Sequence, residues 1–520
     1  MKIALLQDCF RPCRIEENKK KIADFYKKAS QEDADIVVVP SEAICGFEPE
    51  GLLDFNDVND ALTDIQKELI RSTNADTALV FDTPFALDGS FSPSLIIAYD
   101  GCIQHSLPQF DISPDWAERI ITFHDESILF TFFSSIASLH VTQAMALMEL
   151  IDTCIILDAR PFTQDKELSR CQVLSNLALG IRNVIYANQS GFQNGYMLGG
   201  ASCYYQQGKL RVQLPYFDKS ESIFDTEETE WKRVQTLIPD TKEKMTKCLH
   251  HAVVAGIRDY FSQCGVSKAV VGLSGGIDSA VVLPLAVEAL GRKNVFGIMM
   301  PSQFSTDHSV KDAVQLAENL QIHYEIIPIE PVYKAFMQQL EPIVKGTPFG
   351  LTEENLQARI RGTILMAAAN KQGAFLLNTS NKSEASCGYG TLYGDLCGAL
   401  SVLGDLYKSQ VYDIARLINK RKEIIPENSI RKAPSAELHP GQKDSDSLPD
   451  YDTIEKVLRL HLEQKLGQKE IEEEGVSPKS VKRILDLFYK NVFKRHQTPP
   501  VIRLSQTCLD KDINLPLVCR

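Results

Sequence analysis

The segment 272–279, Gly-Leu-Ser-Gly-Gly-Ile-Asp-Ser, constrains the fold of this chain more than any other stretch. It follows an apolar run, Ala269-Val270-Val271, that reads as a strand, and it precedes a helical pattern, Ser279-Ala280-Val281-Val282-Leu283. A strand therefore passes through a glycine turn into a helix, the unit from which layered α/β folds are built. Gly275 and Gly276 accept backbone angles that side chains forbid and let an anion approach the main chain. The N–H groups at the helix start face that anion, and the helix dipole favours negative charge there. Ser274 and Ser279 add hydroxyl donors. Asp278 adds a carboxylate, which is tolerated beside phosphate when Mg²⁺ lies between them. The segment suits pyrophosphate, yet no GxxxxGK[ST] sequence occurs, so it is not a Walker A loop. Two other readings stay open on these residues alone. Residues 272–276 also fit GxSxG, the nucleophile elbow of α/β-hydrolases, with His308, His323 or His439 as the histidine. The segment could equally be a plain glycine-rich turn.

A length of 520 residues implies two or more domains. With 44% hydrophobic and 24% charged residues the chain has the composition of a soluble globular protein. A net charge of -13 argues against nucleic acid as a partner, because phosphate backbones need basic surface. The N-terminus, MKIALLQDCF, reads as a strand and lacks the apolar core of a signal peptide. Thirteen scattered cysteines without a CxxC pair suit the reduced thiols of the cytoplasm better than disulfides or a zinc site. Residues 128–148 carry no Asp, Glu, Lys or Arg, but Ser134, Ser135, Ser138, His140, Thr142 and Gln143 interrupt them. A strand at 128–133 followed by a core helix fits better than a membrane span.

Two halves separate near residues 220–245. The stretch 218–244, DKSESIFDTEETEWKRVQTLIPDTKEK, is polar, charged and weakly periodic, as a linker is. Before it, apolar strands are expected at 3–6, 36–39, 78–81, 95–98, 154–157 and 184–187, with helices at 16–29 and 166–179. After it, a helix at 244–261 leads into strand 269–273, helix 279–290, strand 295–299, helix 309–320 and strand 323–327. This alternation predicts a mostly parallel sheet with its ligands at the C-terminal strand ends. Residues 431–448 are rich in Pro, Ser, Gly and Asp and read as a long mobile loop, the kind that acts as a lid.

Four further clusters follow. Residues 353–361, EENLQARIR, open a helix that places Asn355 and Arg359 on one face, with Arg361 about 120° round from Asn355. Arginines there suit the phosphate oxygens of a nucleotide, or simply a salt-bridged surface. An apolar strand at 374–377 is followed by Asn-Thr-Ser-Asn-Lys-Ser-Glu at 378–384, which puts a hydroxyl and a carboxylate at the sheet edge. Tyr-Gly-Thr-Leu-Tyr-Gly-Asp at 389–395, with Asp405-Leu406-Tyr407-Lys408, is third, and Lys-Ala-Pro-Ser-Ala-Glu-Leu at 432–438 is fourth. Singly, each of the last three reads as an ordinary loop.

Together, SGGIDS, NLQARIRG, TSNKSE with YGTLYGD, DLYKSQVY, KAPSAEL with PGQKDSDSLP, and KRHQTPP resemble NAD synthetase of the long, glutamine-dependent type. The match runs in order through most of residues 245–500 and removes the hydrolase reading of Ser274. The resemblance implies an α/β chain: a nitrilase-like αββα sandwich over 1–235, and a doubly wound parallel sheet, adenine-nucleotide α-hydrolase-like, over 245–520. It implies ATP-dependent amidation of nicotinic acid adenine dinucleotide, through an adenylate, to NAD, AMP and pyrophosphate. ATP is then a co-substrate, Mg²⁺ a cofactor, and ammonia or glutamine the nitrogen source. A homo-oligomer, dimer or larger, and a cytoplasmic location without membrane or nucleic-acid partners follow from the same family. By resemblance, Gly272, Leu273, Ser274, Gly275, Gly276, Ile277, Asp278 and Ser279 hold the pyrophosphate, while Thr379 and Lys408 touch ATP phosphates. Ser435 sits in the closing loop. Asp278 and Glu384 ligate magnesium. Asn355, Arg359, Arg361, Glu384, Asp395 and Lys494 bind the dinucleotide. One departure is Ser445, which stands where the family usually has Glu.

Residues 1–218 resemble the family's amidase domain, on PSEAICGFEPEGLL at 40–53 and Ile-Tyr-Ala-Asn-Gln at 185–189. That domain uses a glutamate base, a lysine and a cysteine nucleophile. Glu42 matches the base. Gln104, before Leu107-Pro108, stands at the lysine, and Ser134, in Phe-Phe-Ser-Ser, stands at the cysteine. A serine needs a strong neighbouring base where a thiolate does not. The expectation is a degenerate amidase kept for structure or assembly, in a synthetase fed by ammonia. The alternatives are an intact glutaminase whose nucleophile lies at another residue, and a pure interaction module.

Overall fold

The apolar runs of the N-terminal half are strands of two facing sheets. The computed structural model describes residues 1–12, 14–109, 116–137, 145, 147–231, 238–435, 437–439, 442, 449–510 and 513. They fall into two units, Met1–Asp240 and Thr241–Arg520. In the first unit one sheet has the order β14-β1-β2-β3-β4-β5. Its strands are β1 (Lys2–Gln7), β2 (Ile36–Val38), β3 (Ala78–Phe85), β4 (Phe91–Tyr99), β5 (Cys102–Pro108) and β14 (Ser220–Asp225). The second sheet has the order β13-β12-β9-β8-β7-β6. It is built from β6 (Ile120–Phe123), β7 (Glu126–Phe132), β8 (Thr153–Asp158), β9 (Asn183–Asn188), β12 (Cys203–Gln206) and β13 (Lys209–Gln213). A hairpin, β10 (Ser190–Gln193) and β11 (Tyr196–Gly199), stands apart from both.

Central strands here are apolar at nearly every position because both of their faces are buried. Ile3, Leu5, Val38 and Val80 of the first sheet pack against Ile128, Phe130, Ile155 and Ile185 of the second. On the outer face of the first sheet lie helices Ile15–Gln31 and Asn56–Arg71, through Ile22, Phe25, Leu62 and Ile65. Helix Glu167–Gly180 covers the second sheet through Leu174 and Leu177. The layers run helix, sheet, sheet, helix, as the αββα expectation has it. The linker reading needs a correction at its start. Ser220–Asp225 is a strand, paired antiparallel with β1 along its whole length. Phe224 packs into the inter-sheet core and Ile223, on the other face, packs against the helix-side core. The Ser, Glu and Asp residues around these two made the strand look like a connector.

The second unit carries one parallel sheet in the order β17-β16-β15-β18-β19. These strands are β15 (Ala269–Gly272), β16 (Val295–Met299), β17 (His323–Ile326), β18 (Phe375–Asn378) and β19 (Leu400–Ser401). The chain steps outward from β15 to β17 and then crosses to β18 on the other side. Right-handed crossovers therefore place the helices of the two directions on opposite faces. The order reverses between β15 and β18, and such a switch point opens a crevice at the C-terminal strand ends. Helix Leu351–Gln372 packs Leu356, Ile360 and Ala369 against Val270, Ile298 and Leu376. A buried ion pair, Lys382 Nζ to Asp405 Oδ1 at 2.8 Å, fixes the start of helix Lys382–Cys387. Asp405 also accepts the N–H groups of Leu504 and Ser505. Among the described residues, no helix is long and apolar enough to cross a membrane, and every cysteine is a free thiol.

Candidate active site

The glycine turn sits at the switch point, between β15 and helix Ile277–Leu290. Gly275 has φ +77, and a Cβ there would lie 2.3 Å from the carbonyl oxygen of Ser309, so no other residue fits. The Ser274 hydroxyl accepts from the Gly276 N–H at 3.1 Å and lies 3.1 Å from the Ser279 hydroxyl. Ser279 in turn donates to the Gly276 carbonyl at 3.1 Å. Among the described residues no histidine bonds Ser274, so nothing there makes it a hydrolase nucleophile. The two hydroxyls instead brace the loop from within, Ser274 also donating its N–H to Ser279 Oγ at 3.3 Å.

That crevice has a volume of about 290 Å³, and all eight residues of 272–279 line it, together with Thr379, Glu384, Asp395, Lys408, Ser435 and Arg361. Three charges meet on its floor. The Lys408 ammonium lies 2.6 Å from Asp278 Oδ2 and 2.9 Å from Glu384 Oε1. Asn381 donates to the other Asp278 oxygen at 2.9 Å, and the Tyr451 hydroxyl donates to Glu384 at 3.2 Å. Burial alone would lower Lys408, but the two carboxylates outweigh it and its pKa is raised. Asp278 and Glu384 therefore aim hard oxygen donors at one point, a set that fits magnesium. Two carboxylates leave most of an octahedral shell to water and to a ligand's phosphates. Among the described residues, no group of three or more His, Cys, Asp or Glu side chains could hold an ion alone.

The crevice wall is basic and acidic in turn. Arg361 donates through Nε to the Met300 carbonyl at 3.1 Å, and burial lowers its pKa to about 10, which leaves it charged at neutral pH. Asp395 is held by the Thr391 N–H at 2.6 Å, and burial raises its pKa. On the loop after helix Glu427–Arg431, Ser435 donates to the Gln442 carbonyl at 2.6 Å.

Three residues expected to bind the dinucleotide make contacts with the chain itself. Asn355 accepts from the Thr391 hydroxyl at 2.7 Å, and Arg359 donates to the Leu392 carbonyl at 3.2 Å. Lys494 donates to the carbonyls of Gly388 and Gly390 at 2.7 and 2.8 Å. None of the three lines the crevice. All three clasp the 388–395 loop, which carries Asp395 into it. The helix geometry explains the division, since Arg361 is turned away from the face shared by Asn355 and Arg359.

Sequence reasoning missed Tyr451, Asn381 and Glu437. The Glu437 carboxylate reaches across to the start of helix Asp307–Leu320, accepting from Ser309 Oγ at 2.7 Å and Thr306 Oγ1 at 3.1 Å, with Lys432 beside it. Burial acts to raise Glu437, but hydrogen bonds from Lys432 and Ser309 outweigh it and hold the carboxyl below its ordinary value. Glu437 lies in the KAPSAEL segment, whose signal was visible while the residue's target was not. Ser445 falls outside the described residues.

The model of the NAD synthase family matches residues 249–498. Over its whole length the chain resembles the glutamine-dependent NAD(+) synthetase of Synechocystis, 34% identical over 97% of this chain and 96% of the relative. The chain belongs to the glutamine-dependent NAD(+) synthetase family. The Acinetobacter baylyi enzyme of that name is 31% identical over 99% and 98% of the two chains. The solved glutamine-dependent NAD⁺ synthetase of Acinetobacter baumannii, in complex with ADP, superimposes with a TM-score of 0.74 at 29% identity, covering 99% of this chain and 98% of that one.

In this member of the family the N-terminal unit also gathers acidic groups at its strand ends. Glu42 follows β2 with φ +58, and its N–H donates to Asp82 Oδ1 at 2.7 Å. Ser41 bonds the other Asp82 oxygen, and the Ser41 N–H donates to the Asp158 carbonyl at 3.1 Å. Burial, then Asp82, pushes Glu42 up to about 8, and burial pushes Asp82 up to about 6. Among the described residues neither forms an ion pair. Ser134 lies at the turn from β7 into the short helix Phe133–Ala137, where its side chain is exposed. Gln104 is not brought to Glu42. It is the extra residue of a β-bulge, since Ile97 pairs with His105 and Ala98 with Ile103. Asp82 lies level with Leu95, and Leu95 with Leu107, so Gln104 is about 10 Å further along the sheet at ~3.3 Å per residue. Its amide donates to the Tyr99 carbonyl. Nearby thiols are no substitute: Cys45 is fully buried with its pKa raised by burial and by Glu42, and burial pushes Cys154 up to about 12.

Proposed function

We propose that this chain makes NAD by ATP-dependent amidation of nicotinic acid adenine dinucleotide, with ammonia as its nitrogen source. The observation that carries the reading is the meeting, in one crevice, of the glycine loop, the Asp278–Lys408–Glu384 cluster and Arg361. A nicotinate carboxylate is a poor electrophile. Its oxygen attacks the α-phosphorus of ATP, the bond to the bridging oxygen breaks, and pyrophosphate leaves. Ammonia then adds to the activated carbonyl, AMP departs, and one proton is lost to solvent. Little of this needs covalent work by the protein, so positioning and charge neutralisation carry the rate.

The 272–279 loop, with the hydroxyls of Ser274 and Ser279, receives the departing pyrophosphate. Thr379 and Lys408 hold ATP phosphates, and Arg361 holds the dinucleotide. Asp278 and Glu384 would hold magnesium, which supplies charge neutralisation on the phosphate oxygens. Asn355, Arg359 and Lys494 act through the 388–395 loop, and Ser435 through the segment that closes over the nucleotide. Support for ammonia comes from Glu42. Burial pushes its carboxyl up to about 8, and among the described residues no lysine or arginine pairs with it to stabilise a thiolate or an oxyanion. The glutamine-driven alternative is favoured by the relatives' names and by Ser134 standing at a strand-to-helix turn.

A homo-oligomer is part of the proposal. Helix Glu330–Val344 buries none of its residues fully, and it exposes Phe336 and Ile343. Nucleotide substrates place the work in the cytoplasm. With ATP and nicotinic acid adenine dinucleotide but no nitrogen source, pyrophosphate is expected at up to about one per chain, after which release stops because the adenylate waits. Steady release of ADP and orthophosphate would contradict the pyrophosphate chemistry.

A further inference from the structure

The cation seat on the crevice floor is already filled by the chain itself. The Lys408 ammonium touches one oxygen of each carboxylate, Asp278 Oδ2 at 2.6 Å and Glu384 Oε1 at 2.9 Å. It also faces the Tyr451 ring at 5.1 Å from the centroid, while the hydroxyl of that ring donates to the same Glu384 oxygen. The side chain of Lys408 is 2% exposed, and those of Asp278 and Glu384 are 19% and 14% exposed. This is a finished cation site, with two anions, an aromatic face and little solvent. A magnesium ion on the same two oxygens would bind at roughly 2.0–2.1 Å. The ammonium and the metal therefore compete for the same lone pairs.

We propose that Lys408 is a displaceable internal cation, which keeps divalent metal out of the Asp278–Glu384 seat until a nucleotide draws the ammonium onto its phosphates. The inference rests on the function proposed above. With Lys408 in place the cluster carries a net charge of one negative unit, too little to strip water from a strongly hydrated dication. Once the ammonium leaves, both carboxylates are free for the metal. Lys408 lines the crevice that holds the glycine loop, so phosphates bound there offer it a second anionic partner. Metal and nucleotide then enter as a coupled pair, each raising the affinity of the other by the same factor. The device spares the empty enzyme from holding a metal.

The test uses Mn²⁺ as a visible stand-in for magnesium, with the full chain and no nucleotide. Free Mn²⁺ is followed by its paramagnetic resonance signal. The wild type is expected to bind Mn²⁺ weakly. Lys408→Met is expected to gain one site per chain, at least about tenfold tighter, because a competing cation has gone. The double variant Lys408→Met, Asp278→Asn is expected to lose that site again. Equal Mn²⁺ affinity in the wild type and in Lys408→Met overturns the inference. Should Lys408→Met fail to fold, Lys408→Gln keeps hydrogen-bonding capacity without the charge and carries the same expectation. Should neither fold alone, Mn²⁺ is expected to restore folding, since it replaces the missing charge, and failure to do so overturns the inference as well. If the wild type makes NAD while no Lys408 variant gains a site, the inference falls and the proposed function stands. If the site is gained while the wild type makes no NAD, the proposed function falls instead.

Discussion

Each unit sets two carboxyl groups side by side at the C-terminal ends of its strands, and a single cation separates their behaviour. In the second unit Asp278 and Glu384 share the Lys408 ammonium. In the first, Glu42 and Asp82 share nothing positive among the described residues, and burial pushes them up to about 8 and about 6. The same side chains thus serve opposite ends. Paired with a cation, the two half-buried carboxylates have their charge balanced within the crevice. Unpaired, Glu42 is pushed by burial well above the ordinary carboxylate range. On the amidase resemblance drawn from the sequence, a lysine is expected beside Glu42. The chain has Gln104 in the matching stretch, at a bulge about 10 Å along the sheet.

The contrast breaks first if the paired carboxylates prove dispensable. Asp278→Asn or Glu384→Gln is expected to cut ammonia-driven NAD formation by about a thousandfold or more, with the fold intact by circular dichroism. Near-normal turnover in either variant would remove both from the catalytic machinery. Arg361→Ala is expected to lower kcat/KM by about ten- to a hundredfold, mainly through KM for the dinucleotide, because its charge lies in the crevice wall. An unchanged KM would place that wall outside the substrate site.

The smallest effect sharpens the other side. Glu42 has a folded pKa of about 8, above that of a solvated glutamate, so it stabilises the unit fully at low pH. That contribution is lost as pH rises from about 4.5 through about 8. Glu42→Gln is therefore expected to raise the melting temperature of the N-terminal unit by roughly 3 °C at pH 9 and by almost nothing at pH 4. Ammonia-driven synthesis is expected to be unchanged at either pH. A stabilisation that does not grow with pH would show that Glu42 is ionised in the native state.

Much of this was legible before the structure. The SGGIDS turn announced itself because glycines, a preceding apolar strand and a following helix are local signals. The layered α/β character of the first unit was visible in its apolar strands, and its αββα order came from the family resemblance. The contacts that give the site its character were not visible. Lys408 reaches Asp278 over 130 positions, and Tyr451 reaches Glu384 over 67, and no local pattern encodes such pairs. Asn355, Arg359 and Lys494 were matched by motif to the substrate, whereas the structure has them hold the loop beside it. A motif preserves which residues occur, not whether each one touches ligand. The edge strand Ser220–Asp225 reads as linker in the sequence because two adjacent apolar residues, Ile223 and Phe224, among polar ones give too weak a periodic signal.

The account turns on which unit still does chemistry, and the nitrogen source reads that directly. Purified full-length chain, given ATP, Mg²⁺ and nicotinic acid adenine dinucleotide, is expected to form NAD with ammonium chloride. With glutamine as the only nitrogen source the rate is expected to fall below about one hundredth of that, since among the described residues Glu42 pairs with no cation and burial raises the pKa of the Cys45 thiol beside it. An alkylating glutamine analogue is expected to label no unique cysteine within residues 1–218. Robust glutamine-driven NAD formation, with one N-terminal cysteine labelled stoichiometrically, would contradict the account.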